Sequence, residues 1–180
     1  MALERKFCSI KDQIQLGEDA AIMGYASLFD QVDQGGDIVE RGAYSKSLKR
    51  LEAARTNVKL LWQHDPSQPI GVWEDVIEDD KGLYVKGRLL LETQKGREAA
   101  ALIEAGAIDG LSIGYRTVKA DRDAKGRRHL AELELWEVSL VTFPMLPQAR
   151  VGAKADEPKT DPTETLAGVF RTMRQTLAQG

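Results

Sequence analysis

Three residue types in this chain could together break an acyl bond: the hydroxyl of Ser112, the imidazole of His64 and the carboxylate of Glu137. Ser112 lies in Gly110-Leu111-Ser112-Ile113-Gly114, which is spelled like a nucleophile elbow. That elbow needs a strand before the serine and a helix after it, whereas here the order is helix, serine, strand, so the spelling carries no weight. His64 ends the apolar run of residues 58–63 and is followed by Asp65 and by Pro66, which is expected to stop further ladder pairing. A histidine so placed either caps its strand or serves as a base. Glu137 closes a row of alternate residues with Leu133 and Leu135. It either reaches solvent at the end of a sheet or faces a partner inside. Asp65 is a second acid beside the histidine, and His129 is the other of two histidines. Hydroxyl, imidazole and carboxylate are the parts of a nucleophile, a general base and an orienting acid. They stand in separate segments, so only the fold could assemble them.

The elements that would do so are readable from periodicity. Residues 111–119 and 130–142 alternate β-branched, aromatic and polar side chains around the turn Asp123-Ala124-Lys125-Gly126, the pattern of a long β-hairpin. Centring the turn between Ala124 and Lys125 sets Ser112 directly across from Glu137. Arg116 falls on the Ser112 face as either an oxyanion donor or a solvent-facing charge. His129 lies roughly 25 Å along the strand from Glu137, a surface position. Residues 3–16 and 20–29 read as an opening antiparallel pair, 57–63 as a strand, and 70–78 with 82–92 as a second hairpin around Asp79-Asp80-Lys81-Gly82. Residues 43–54 and 93–106 carry helical spacing, the second opening on Thr93 and stopping at Gly106. The acidic stretch 30–37 lacks the ligand spacing of a calcium loop and reads as a solvated loop. Together these give an α+β fold, a mostly antiparallel β-barrel core with flanking helices.

After residue 151 the composition turns polar and proline-bearing, a linker over residues 152–163. Asp161, Pro162 and Glu164 then start an amphipathic helix over residues 164–180, with Leu166, Val169, Phe170, Met173 and Leu177 on one stripe. A domain-sized unit over residues 1–151 precedes both. The chain has 180 residues and 28 acids against 25 bases, a net charge of −3 with no basic field for nucleic acid or an anionic membrane. One cysteine excludes an internal disulfide, and two histidines leave no structural-zinc cluster, so neither metal nor cofactor is expected. No apolar run is long enough to span a bilayer, and an intracellular, soluble protein is expected.

The chain also resembles a known family, the prohead proteases of tailed bacteriophages, serine peptidases similar in fold to the herpesvirus assemblin proteases. The resemblance runs through Gly24-Tyr25-Ala26, Gly36-Asp37-Ile38-Val39, Arg41-Gly42-Ala43-Tyr44, Leu60-Leu61-Trp62-Gln63-His64-Asp65, Gly110-Leu111-Ser112-Ile113-Gly114-Tyr115 and Trp136-Glu137-Val138-Ser139, covering residues 20–150. It implies Ser112 as nucleophile, His64 as general base and an assemblin-like fold. Assemblins use a second histidine as the third member; the hairpin register instead offers Glu137, with Asp65 and His129 as rivals. The resemblance further implies cleavage of scaffold and capsid-protein segments, and of the chain itself, inside an assembling prohead in the host cytoplasm. The expected partners are the major capsid protein with its scaffold segment and other copies of the chain. A non-enzymatic capsid-assembly protein on the same barrel is the alternative, and a small-molecule esterase would need the missing elbow.

Overall fold

The structure, a computed structural model, describes residues 18–152; the expected strand over 3–16, residues 153–163 of the expected linker and the C-terminal helix lie outside the described residues, while Gly152, expected to open the linker, belongs to a strand. After a short 3-10 turn, β1 (Ala21–Leu28), β2 (Asp37–Val39), α1 (Ser45–Ala54), β3 (Lys59–Trp62), β4 (Asp65–Glu78), β5 (Gly82–Leu89), α2 (Gln94–Glu104), β6 (Gly110–Arg122), β7 (Arg128–Val141) and β8 (Val151–Gly152) follow in order. α2 begins at its Thr93 signal, and α1 ends at Ala54 as expected but starts at Ser45, two residues inside its expected range. The Thr93 hydroxyl caps α2 by accepting from Gly96 N, while Arg55 turns left-handed at the end of α1.

One mixed sheet contains every strand, in the order β2-β7-β3-β4-β5-β1-β8, with β6 on the other edge of β7. The hairpins β3/β4, β4/β5 and β6/β7 and the pairs of β1 with β5 and β8 are antiparallel. Two pairings depart from the expected antiparallel run, because β2 and β3 both lie parallel to β7. The sheet comes round on itself at residues 149–152. β8 pairs with β1 on one side, and on the other Leu111 N donates to Ala149 O and Val151 N to Asp109 O. Gly24 makes this approach possible, since a Cβ there would collide with the Arg150 carbonyl.

Strand β7 is the spine. Its Leu130, Leu133, Leu135, Val138 and Leu140 are at most 1% exposed and sit in one apolar cluster with Ile22, Leu60, Ile70, Leu83 and Leu111. Full burial stabilises each such side chain by about 1.5–3 kcal/mol. β2 and β3 cover only the two ends of its second edge. Between them the entrance to α1 fills the gap: Leu133 N donates to Ala43 O and Leu135 N to the buried Ser47 Oγ.

The hairpin differs from its expected register. Ser112 lies across from Ser139, and Gly114 across from Glu137. The turn is centred on Lys125, which pairs Arg122 with Arg128 and shifts the pairing by one residue, and an extra residue, Trp136, bulges from β7 between the pairs Gly114–Glu137 and Tyr115–Leu135. The bulge also separates Glu137 from Leu133 and Leu135: those leucines stay with Val138 in the core, and Glu137 takes the opposite face while Trp136 stands 57% exposed. Pro66 does not end pairing either; β4 starts at Asp65 and Pro69 lies across from Leu61 through register shifts. Nor is the acidic stretch wholly a solvated loop, because Asp37 is buried and held by both Arg128 Nε (2.8 Å) and Arg128 Nη2. Arg128 holds the Asp37 carboxyl below the usual carboxylate range.

Replacing Ser47 by alanine leaves the Leu135 N–H buried without its acceptor. Urea unfolding should show a loss of about 1–3 kcal/mol for this variant.

Candidate active site

His64 owes its position to a two-residue turn. Trp62 pairs with Asp65, and the residues between them, Gln63 and His64, have φ of 51° and 61°. Two left-handed residues are what a tight hairpin matching the sheet twist requires, although neither is the usual asparagine or glycine. The turn is fastened on the side of β7: Gln63 N donates to Leu140 O (3.0 Å), Gln63 Nε2 to Thr142 Oγ1 (2.8 Å) and His64 N to Ser139 Oγ (3.2 Å). A backbone conformation of this kind persists where its surroundings hold it on several sides.

That fastening carries the imidazole over the face of β6 and β7 that is turned from the core. Its Nε2 lies 3.0 Å from Ser112 Oγ, and its Nδ1 lies 2.5 Å from Glu137 Oε1. Glu137 and Ser112 are 9% and 5% exposed, whereas the His64 side chain is 43% exposed and open to solvent on one side. With its proton on Nδ1, donated to the carboxylate, the imidazole leaves Nε2 free to accept the Ser112 O–H. The hydrogen bond that His64 donates to Glu137 raises the His64 pKa above its ordinary 6.5, and desolvation offsets part of that rise. The arrangement can move a proton from serine to imidazole while a fixed carboxylate balances the charge that forms.

The other candidates stand elsewhere. Asp65 turns its carboxylate to its own loop, accepting from Ser67 N (2.9 Å), Ser67 Oγ (2.6 Å) and Gln68 Nε2 (2.7 Å). His129 is half-buried at the hairpin's far end, with Nδ1 3.2 Å from Glu40 Oε1 and Nε2 3.5 Å from Asp123 Oδ2. Arg116 is 64% exposed and paired across the strands with Glu134. Two residues that the sequence gives no separate role shape the site. Ser139 Oγ donates to Glu137 Oε2 at 2.5 Å, and Gly114 leaves the space that the Glu137 carboxylate fills. Ser139 stands two residues after Glu137, so strand alternation alone puts both on one face. Gly114 is visible only once the register is known.

A cavity of about 390 Å³ opens beside Ser112, lined by Ala26, Leu28, Asp37, Leu111, Tyr115 and Met145. A larger one of about 490 Å³ lies between α1 and β4, against Leu48, Leu51, Trp73 and Val76, and touches none of the three residues. Among the described residues, the outer edge of β6 is bonded to residues 149–151 only as far as Leu111, so a free strand edge runs on from the serine along the first cavity.

Residues 8–163 match the family described as Caudovirus prohead serine protease. The chain is similar to the prohead protease of Enterobacteria phage HK97, with 30% identity over 164 residues, covering 89% of this chain and 70% of that protein. It is also 28% identical over 160 residues to the capsid polyprotein of Pseudomonas phage PAJU2, covering 84% of this chain and 22% of that protein. Among solved structures, the bacteriophage T4 capsid assembly protease aligns with a TM-score of 0.57 at 20% identity, covering 69% of this chain and 82% of that one. The KSHV protease, solved with a hexapeptide phosphonate inhibitor, aligns with a TM-score of 0.53 at 11% identity, covering 84% and 76%. These two likenesses bear out the assemblin-like, mostly stranded fold with flanking helices.

Because the folded-state pKa of His64 is raised, its pairing with Glu137 adds stability that is fully present below pH 6.5 and is lost as pH rises through the raised value. Gly114→Ala would press a Cβ against the Glu137 carboxyl group and push it from the imidazole. NMR titration of His64 should therefore give a lower midpoint in Gly114→Ala and in Glu137→Gln than in the parent chain, with the extra acid-side stability reduced in both.

Proposed function

The chain belongs to the Caudovirus prohead serine protease family, and on that premise we propose that Ser112 is its nucleophile, His64 its general base and Glu137 the acid that orients the base. The class of reaction follows from the family: the chain is a serine protease that acts in capsid maturation, within the assembling shell. The observation that carries the residue assignment is the unbroken line of hydrogen bonds from Ser112 Oγ through His64 to Glu137.

In this mechanism Ser112 Oγ attacks the scissile carbonyl carbon as His64 Nε2 takes the hydroxyl proton. Glu137 stabilises the imidazolium through Nδ1–H. The tetrahedral intermediate breaks its C–N bond, and the same proton leaves Nε2 for the departing amine. Water then adds to the acyl ester, giving its proton to His64, and collapse returns that proton to Ser112 Oγ with release of the carboxylic acid. The substrate enters as an extended strand on the free edge of β6, where backbone groups supply general affinity and the adjoining cavity receives alternate side chains.

Its work brings the protease to capsid or scaffold proteins in general; in the finer reading its partners are the major capsid protein and its scaffold segment, met in the host cytoplasm where the shell forms. The polar stretch 153–163, poor in apolar side chains, is the point where one copy cuts another or itself. The stripe Leu166, Val169, Phe170, Met173 and Leu177 beyond it binds the scaffold or capsid partner and concentrates the enzyme in the shell.

Co-expression with the matching capsid protein, read by mass spectrometry, tests the residues. Ser112→Ala and His64→Ala should each lower cleavage on the order of 10⁴-fold, because members of such a unit act only together. Glu137→Gln should cost far more than Asp65→Asn or His129→Ala, and a reversed ranking would assign the third member elsewhere.

Removing residues 153–180 should leave peptide cleavage nearly unchanged and reduce incorporation into particles, measured by quantifying the protease in purified proheads. Undiminished packaging of the shortened chain would refute the recruiting role.

A further inference from the structure

We propose that Ser139 is a positioning residue for this reaction, locking the Glu137 carboxylate and the backbone of His64 to one another; the inference rests on the Ser112–His64–Glu137 reading. Each oxygen of the Glu137 carboxylate has its own partner. Oε1 meets His64 Nδ1 and Oε2 accepts from Ser139 Oγ, both at 2.5 Å. The Ser139 oxygen in turn accepts from His64 N at 3.2 Å. The three bonds form a closed loop that returns to the residue where it began, binding the imidazole through the carboxylate and the main chain through the hydroxyl.

The location of Ser139 gives that loop its rigidity. It is fully buried, stands across from Ser112 on β6 and beside Leu61 on β3, and so belongs to the seam where the nucleophile's strand and the base's strand meet β7. A lone carboxylate in this place could rotate about its terminal bond and offer the imidazole a poorer angle. Donation to Oε2 removes that freedom. Acceptance from His64 N satisfies a backbone donor in a residue whose φ of 61° leaves it outside the ordinary strand geometry. Gly114 completes the fit from the opposite strand by leaving room for the carboxyl group in this one orientation.

The test uses the full chain and an alkyl fluorophosphonate, a probe that needs no known cleavage sequence. The Ser112 oxygen displaces fluoride from phosphorus, forming the O–P bond as His64 takes the proton. Rates of phosphonylation are compared for the parent chain, Ser139→Ala, Glu137→Gln and Ser112→Ala, together with the low-field Nδ1–H proton resonance of His64. Ser139→Ala is expected to react on the order of 10²-fold more slowly, the cost of a small misplacement of catalytic groups. Its half-saturating probe concentration should stay near the parent value and its His64 resonance should move upfield, which a merely structural loss of stability would not produce. A parental rate and resonance in Ser139→Ala, with Glu137→Gln slowed, would overturn the role of Ser139 and leave the triad standing. Labelling of Ser112→Ala at the parental rate would overturn the triad itself and the proposal with it. Should Ser139→Ala fail to fold, Ser139→Cys, close in size and a weaker donor, decides the matter: a parental rate refutes the proposal and a slowed one with a shifted resonance supports it.

Discussion

The parallel pairing of β3 with β7 is the constraint on which the site depends. It brings Lys59 level with Glu137 and Leu61 level with Ser139, so the turn that ends β3 arrives over the last residues of β7. Were β3 to leave that seam, the imidazole would lose its acid, its serine and three of the bonds that hold its turn. The pairing is itself maintained by the apolar side of the same strands, where Leu60, Val138, Leu140 and Leu111 are almost wholly out of water. Polar geometry on one face thus rests on hydrophobic burial on the other, and the hydrogen bonds specify an alignment that the core stabilises.

Much of this was legible in the sequence because it is local. The long hairpin, the capped helix α2, the amphipathic α1 and the turn at Asp79 all announce themselves within a few residues. What the chain does not announce is which strands meet. Nothing near Lys59 says that its neighbour is Glu137, and nothing near Asp37 says that it will be buried against Arg128 rather than left in a loop. Parallel neighbours are joined by no turn, so they leave no turn signal.

The hairpin register shows how such an error can still end near the truth. A one-residue slip turns every side chain to the other face. Here the turn and the Trp136 bulge each shift the pairing by one residue, two further shifts on either side of Lys119 cancel, and the net result keeps Ser112 and Glu137 on one face while moving the partner of Ser112 from Glu137 to Ser139. Alternation thus puts the acid on the serine's side for an incomplete reason, since the residue directly opposite the serine is Ser139. Gly114 was hidden by the same shift, since its lack of a side chain has meaning only when Glu137 is known to lie across from it.

The closure of the sheet by residues 149–152 bears on the order in which the molecule can be made. Met23, near the beginning of the described chain, pairs with Gly152 at its end, and the start of the serine's own strand bonds to Ala149. A ribosome releases the first strand long before the piece that seals it, and contacts so far apart in sequence form late and slowly. Until that piece emerges, β1 has one unfilled edge and Leu111 lacks the acceptor that fixes the approach to Ser112. Synthesis itself thus sets a clock on this protease: the strand of Ser112 is secured only after nearly all the other described strands have been translated.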